Sequence, residues 1–177
     1  MNEVLQFWFK ENSSEQWFNK DDAFDQLLRD RFGDTLERAS RGELYDWRAT
    51  PQGRVAEIVV LDQFSRNIRR GTPGSFANDA AALVLAQEIV GSGLLEALNA
   101  EERVFALMPY MHSESKVIHE QADRLFKQWT PEENHGFELR HKVIIDRFDR
   151  YPHRNAILGR TSTAEELEFL TQPDSSF

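Results

Sequence analysis

The pattern Asp-x-Phe-x-Arg occurs twice in this chain, as Asp62-Gln63-Phe64-Ser65-Arg66 and as Asp146-Arg147-Phe148-Asp149-Arg150. The first copy leads into Asn67-Ile68-Arg69-Arg70-Gly71 and the second into Tyr151-Pro152-His153-Arg154-Asn155. On a helix, an Asp and an Arg at this spacing share a face and can pair. Both copies begin within apolar runs and end at helix-stopping residues, which places guanidinium and amide groups at the ends of buried helices. Such groups suit an anion, because the planar arginine fork meets a carboxylate or phosphate with two parallel hydrogen bonds.

Three segments carry the candidate chemistry. In the first, Asp62 orients Arg66 while Gln63 and Asn67 add neutral donors; the same residues also fit a helix-end ion pair that only fixes packing. In the second, Pro152 makes a rigid turn from which His153, Arg154 and Asn155 project, with Arg150 just before it. Rigid turns on a helical scaffold are good carriers of binding groups. His153 is the first candidate there for proton transfer. Alternatively, Arg154 and Asn155 hydrogen-bond the orphan carbonyls of neighbouring helix ends. The third is Pro109-Tyr110-Met111-His112-Ser113-Glu114, where His112 and Glu114 could orient each other as base and helper. Ser113 and Glu114 are equally ordinary first-turn residues of a helix.

Three readings follow. A pocket for a small anionic ligand or an acidic peptide end would use Arg66, Asn67, Arg150, Arg154 and Asn155 as donors beside Gln63. Asp62 would orient them, and His112, Glu114 and His153 would titrate. A hydrolase-type enzyme would use His153 or His112 as general base beside Glu114 or Asp62. An interaction scaffold would leave the polar cluster purely structural.

Composition narrows the field. No cysteine is present, which excludes disulfides, zinc–thiolate sites and cysteine nucleophiles and fits a reducing compartment. His112, Glu114, His141 and His153 follow no recognised metal-ligand spacing, and neither metal nor cofactor is expected. There is no Gly-x-Ser-x-Gly elbow and no Gly-x-x-x-x-Gly-Lys loop. A net charge of −9 argues against nucleic acid as a partner. Of the 21 basic residues, five arginines and Lys142 fall between Arg140 and Arg160, a basic island that points to one local site. No run approaches a membrane span, and the start lacks a signal-peptide pattern, so a soluble cytoplasmic protein is expected.

The elements that must position these residues all read as helices. Thr50-Pro51 opens one, with Val55, Ile58, Val59, Val60, Leu61 and Phe64 apolar almost all round, ending near Asn67 to Gly71. An Ala-rich helix is expected over about 76–90, its Ala77, Ala80, Ala81 and Ala86 permitting close approach. Asn99 and Glu102 cap another, which Pro109 should interrupt; Ser113 should open the next. Thr130-Pro131-Glu132-Glu133 reads as a capping box, and the helix after it should end at Tyr151 before Pro152. Ser162 and Thr163 with Glu165 and Glu166 cap a last helix to Leu170, and 171–177 should fray. No strand signal appears. The expectation is one all-α domain spanning residues 1–177, with a core over about 4–170, of stacked antiparallel helix pairs.

Several motifs together resemble the bacterial domain-of-unknown-function family numbered 924. They are Leu61 to Asn67, Arg70-Gly71, Phe76-Ala77-Asn78-Asp79, Met108-Pro109 with His112-Ser113-Glu114, and Arg147-Phe148 through Pro152-His153-Arg154-Asn155 to Leu158-Gly159-Arg160. The resemblance runs in order from about Val4 to Leu170. It implies an all-α, tetratricopeptide-like superhelical fold and brings no established activity, substrate or catalytic residue. Ser65 stands where the family often has Pro, Asp149 where it often has Gly, and Tyr151 where it often has Phe.

Overall fold

Thr50 and Pro51 start the helix on which the rest is assembled. The computed structural model describes residues 1–173, 175 and 176, and among them no strand forms. The helices are α1 (Asn2–Gln6), α2 (Ser14–Phe18), α3 (Asp22–Ser40), α4 (Pro51–Val59), α5 (Ser65–Ile68), α6 (Asp79–Gly91), α7 (Ala100–Met111), α8 (Lys116–Trp129), α9 (Glu132–Phe148) and α10 (Ala164–Phe169). The Thr50 hydroxyl accepts from the Gly53 amide, and Pro51, which lacks an N–H, occupies the first turn where no intrahelical donor is needed. A π turn, Val60–Phe64, joins α4 to α5 with the backbone right-handed throughout, so the three pieces make one continuous helix.

Every residue from Val55 to Ser65 on that helix is buried. Such a helix is stable only when packed on all sides, and α3, α6 and α7 surround it. Aromatic rings fill the space near α1: Phe7 and Phe64 each lie 5.0 Å from Phe32, and Trp8 lies 5.5 Å from Phe64. From α6, Ala82, Leu85, Ala86 and Ile89 face the core. Farther along, α7 packs on α8 and α8 on α9. Ile144, Ile145 and Tyr151 form a small satellite core with Phe148 and Phe169.

Several boundaries differ from the sequence expectation for identifiable reasons. The Ala-rich helix starts only at Asp79, so Ala77, Ala80 and Ala81 are exposed and the close approach is made by Ala82 and Ala86. Pro109 lies inside α7, which runs on to Met111 and ends one turn later than a proline break would give. Ser113 does not open α8: its carbonyl accepts from the His119 Nε2–H at 2.8 Å, and the helix begins at Lys116. No capping box forms at Thr130, whose hydroxyl instead donates to the Phe126 carbonyl of the preceding helix. Asn99–Glu102 and Thr163–Glu166 do form reciprocal capping boxes. In the expectedly frayed tail, Ser175 is buried and donates to the Leu170 carbonyl; Asp174 and Phe177 lie outside the described residues.

Gly53 fixes how the short helix Tyr45–Ala49 sits on α4. A Cβ at this position would stand 1.9 Å from the Trp47 carbonyl oxygen and 2.8 Å from the Met1 sulfur, whereas one at Gly33 in α3 would meet nothing within 4 Å. Helix propensity alone favours Ala over Gly by about 1 kcal/mol, so the two substitutions should separate in sign. Gly33→Ala should raise the denaturation midpoint, and Gly53→Ala should lower stability by about 1–3 kcal/mol through overpacking. Urea unfolding of the two variants measures the difference; a stabilised Gly53→Ala would show that the approach is not tight.

Candidate functional site

Asp62 lies in the middle of the π turn, 1% exposed. Its Oδ1 receives the His112 Nδ1–H at 2.7 Å and forms an ion pair with Arg66 at 3.0 Å, its backbone carbonyl accepts an Arg66 N–H at 3.0 Å, and its Oδ2 receives the Gln63 amide at 2.6 Å. Burial opposes ionisation here, but the Arg66 charge and the His112 contact outweigh it and hold this carboxyl well below its ordinary range. An ionised carboxylate can only accept, so the proton of neutral His112 must sit on Nδ1 and the lone pair on Nε2. Nε2 has no hydrogen-bond partner among the described residues, and the side chain is 15% exposed. Burial first, then Arg66, push His112 below its ordinary pKa, against the pull of Asp62. The imidazole is therefore neutral near pH 7, with its basic nitrogen turned away from its carboxylate partner.

Arg66 also donates to Asp79, the first residue of α6, at 2.9 and 3.1 Å. Arg154 reaches the same carboxylate at 3.2 Å and the His112 carbonyl at 3.1 Å. Both guanidiniums lie over the Phe76 ring, at 5.6 Å for Arg66 and 4.5 Å for Arg154, and Arg154 also lies 4.5 Å over Tyr151. Arg154 is 6% exposed and its Nε is buried without a partner. Burial, then the neighbouring Arg66 charge, pull its pKa down. Imidazoles crowd the opposite side. The His112 and His141 rings are 6.5 Å apart, and Tyr151 stands 5.8 Å from His141 and 5.5 Å from His153. His153 Nδ1 is also buried and unpartnered.

Asp62, Gln63, Arg66, His112 and Arg154 thus converge, with His153 beside them against Tyr151. The other candidates have different work. Asn67 points towards α3 and donates to Asp25 at 3.0 Å, next to Arg70. Arg150 is bound to Glu166 at 2.6 and 2.7 Å and does not pair with Asp146, whose partner is Lys142. The second Asp-x-Phe-x-Arg copy fails as a pair because α9 stops at Phe148 and Asp149 is left-handed, at φ 56. That conformation is one glycine adopts without strain. Asn155 is taken up by Ser162 and Arg160. Glu114 does not touch His112; it accepts from the Tyr151 amide at 2.8 Å and from Arg160 at 2.7 and 2.9 Å. Burial works against that carboxylate, but Arg160 and the amide hold its pKa down.

Sequence reasoning missed Asp79, Phe76 and Tyr151 as members of the cluster. It also missed a fully buried pair behind it, where His119 Nδ1 meets Glu138 Oε1 at 2.8 Å. Burial raises the Glu138 pKa against the His119 contact, and its Oε2 has no partner. His119 Nε2 also lies 3.3 Å from the Tyr151 hydroxyl, which itself donates to the Met111 carbonyl. The one available signal for Asp79 was its place directly after Phe76-Ala77-Asn78, inside a helix expected to begin at about residue 76. Among the described residues no three His, Asp or Glu side chains are placed to share a metal ion.

Fold and site together define an all-helical protein with a buried Asp–His–Arg cluster built from four separate segments. The chain belongs to the family described as Bacterial protein of unknown function (DUF924), whose model matches residues 4–174. A solved structure of a protein of unknown function from Agrobacterium tumefaciens is 36% identical. It superposes with a TM-score of 0.90, covering 96% of this chain and 95% of that one. Comparison with curated proteins finds no match. No helix among the described residues is long and apolar enough to cross a membrane.

The buried imidazoles make stability depend on pH. Burial pulls His141 down to about 3 and His153 to about 4, from an unfolded value of about 6.5. Between those limits the unfolded chain binds more protons than the folded one. Stability is therefore full above about pH 6.5 and falls as the pH drops, by up to about 1.4 kcal/mol per pH unit for each histidine. A His153→Gln variant should show a shallower loss of Tm between pH 6.5 and 4 than the parent. An unchanged slope would mean that His153 titrates normally in the folded protein.

Proposed function

We propose that the cluster binds a small anionic molecule and that His112 accepts a proton, either from that molecule or from a water attacking it. The observation that carries this is the Asp62–His112 contact. A buried, ionised carboxylate fixes the tautomer and orientation of a neutral imidazole whose Nε2 is left without a protein partner. A carboxylate-oriented imidazole of this kind is a common general-base arrangement. Arg66 and Arg154 supply positive potential on one side of it, suited to negative charge developing as the proton leaves. Glu114, bound to Arg160 and the Tyr151 amide, takes a structural part by holding the 151–160 segment over the 112–115 turn. His153, packed against Tyr151 beside the cluster, is a second titrating group.

The reading rests on Nε2 being basic and reachable. Diethylpyrocarbonate acylates neutral imidazole nitrogens, and peptide mapping by mass spectrometry should find His112 modified at pH 7. Asp62→Asn should slow that modification, because the neutral amide stabilises the developing imidazolium less. Activity found in a panel of carboxylic ester, amide and phosphate ester substrates should fall by about 10²–10⁴-fold in a folded His112→Gln protein. A His112 that stays unmodified while other histidines react, or a His112→Gln protein with full turnover, would overturn the proposal.

A further inference from the structure

We infer that Arg66 and Arg154 form a carboxylate-recognition subsite next to His112, and that Asp79 holds the place of the ligand's carboxylate. The inference rests on the proton-transfer reading and adds the substrate class to it. Two guanidiniums from segments 88 residues apart, at positions 66 and 154, meet on the two oxygens of one side chain, at 2.9, 3.1 and 3.2 Å. That is the fork geometry by which arginine reads a carboxylate. Asp79 makes no other side-chain hydrogen bond among the described residues and is 19% exposed, so it sits at the open edge of the cluster. Each arginine keeps an anchor that does not depend on Asp79: Arg66 holds Asp62, and Arg154 holds the His112 carbonyl. Phe76 supports both from one face. Removal of the Asp79 charge therefore leaves two positioned cations that face one vacated acceptor position.

A second observation is independent of Asp79. The Arg154 side chain is 7% exposed, and its Nε–H is buried with no acceptor. A buried donor without an acceptor is costly, and an incoming oxygen would relieve it. A ligand carboxylate that displaces Asp79 would take the terminal guanidinium donors and bring its own oxygens within range of this third one. His112, whose carbonyl is already bound by Arg154, would then face the atoms next to the carboxylate. The ligand class is thus a small carboxylic acid that loses a proton or is hydrolysed near its carboxylate. Asp79 would compete with it, so that the parent protein binds simple anions weakly.

Calorimetric titration of the folded Asp79→Asn protein with acetate, and separately with inorganic phosphate, tests this. Acetate should bind about tenfold or more tightly than to the parent, and more tightly than phosphate. Adding Arg154→Lys should remove the gain, because an ammonium lacks the fork. Acetate affinity equal to the parent's, or a preference for phosphate, would overturn the carboxylate assignment. If Asp79→Asn does not fold, the parent is titrated with acetate while the Arg154 Nε–H signal is followed by NMR. A specific, saturable shift supports the subsite, and an unmoved signal overturns it. Absence of acetate binding to Asp79→Asn while diethylpyrocarbonate still modifies His112 would sink the subsite and leave the proton-transfer reading standing, so the two fail separately.

Discussion

A carboxylate buried in the middle of the central helix is the constraint around which this protein is arranged. Asp62 is 1% exposed, so every acceptor lone pair it retains must be answered by the protein itself. The answers come from its own helix through Arg66 and Gln63, and from the α7–α8 turn through His112. Arg66 passes the connection on to α6 through Asp79, and Asp79 passes it to Arg154 on the loop after α9. One buried charge thus fixes the relative positions of four chain segments. The same requirement explains why the imidazole tautomer is defined: an ionised Asp62 can only accept, so neutral His112 carries its proton on Nδ1.

Three of the other buried acids follow the same rule. Asp25 is met by Arg70 and Asn67, Glu57 by a bidentate Arg48 and Glu166 by Arg150, whereas Glu138 meets His119 through Oε1 and leaves Oε2 without a partner. Each pair ties two elements together. Arg48 fastens the Tyr45–Ala49 helix to α4, and Arg70 fastens the end of α5 to α3. Most of the arginines are therefore structural partners of carboxylates. Arg154 differs from them, because a 6% exposed guanidinium there retains an unanswered donor. Buried polar atoms are usually satisfied, and this one stands with Trp8 Nε1, Glu138 Oε2 and His153 Nδ1 as an exception among the described residues.

The helical character of the chain and its central helix could be read directly, because Thr50-Pro51 and the apolar run to Phe64 carry both a start signal and a burial signal. The Asp62–Arg66 pair was legible for the same reason: both residues lie on one uninterrupted helix. The parallel inference for Asp146 and Arg150 failed at Asp149, where the chain leaves the helix through a left-handed residue. Glycine in that place would have announced the break; aspartate hides it. The Asp62–His112 contact could not be read at all, since it joins residues 50 apart and depends on how α7 crosses the central helix. Capping assignments succeeded at Asn99 and, of the Ser162–Thr163 pair, at Thr163, where the chain is exposed. They failed at Ser113, whose backbone carbonyl accepts from His119 while the helix begins three residues later, and at Thr130, whose hydroxyl donates to the Phe126 carbonyl.

The π turn at Val60–Phe64 sets the phase of everything after it. A π turn accommodates one residue more than regular α-helix, and each residue advances an α-helix by about 100°. Excising a single residue from this stretch would let the helix regularise with its final part left in nearly the same phase, because the wide turn has already absorbed the extra residue. Arg66 and Asn67 would keep facing Asp79 and Asp25, and the change would fall on the buried side chains of the stretch itself. Length within this short stretch is thus less restrictive than side-chain identity, and what a deletion there costs depends on which side chain it removes, Asp62 above all.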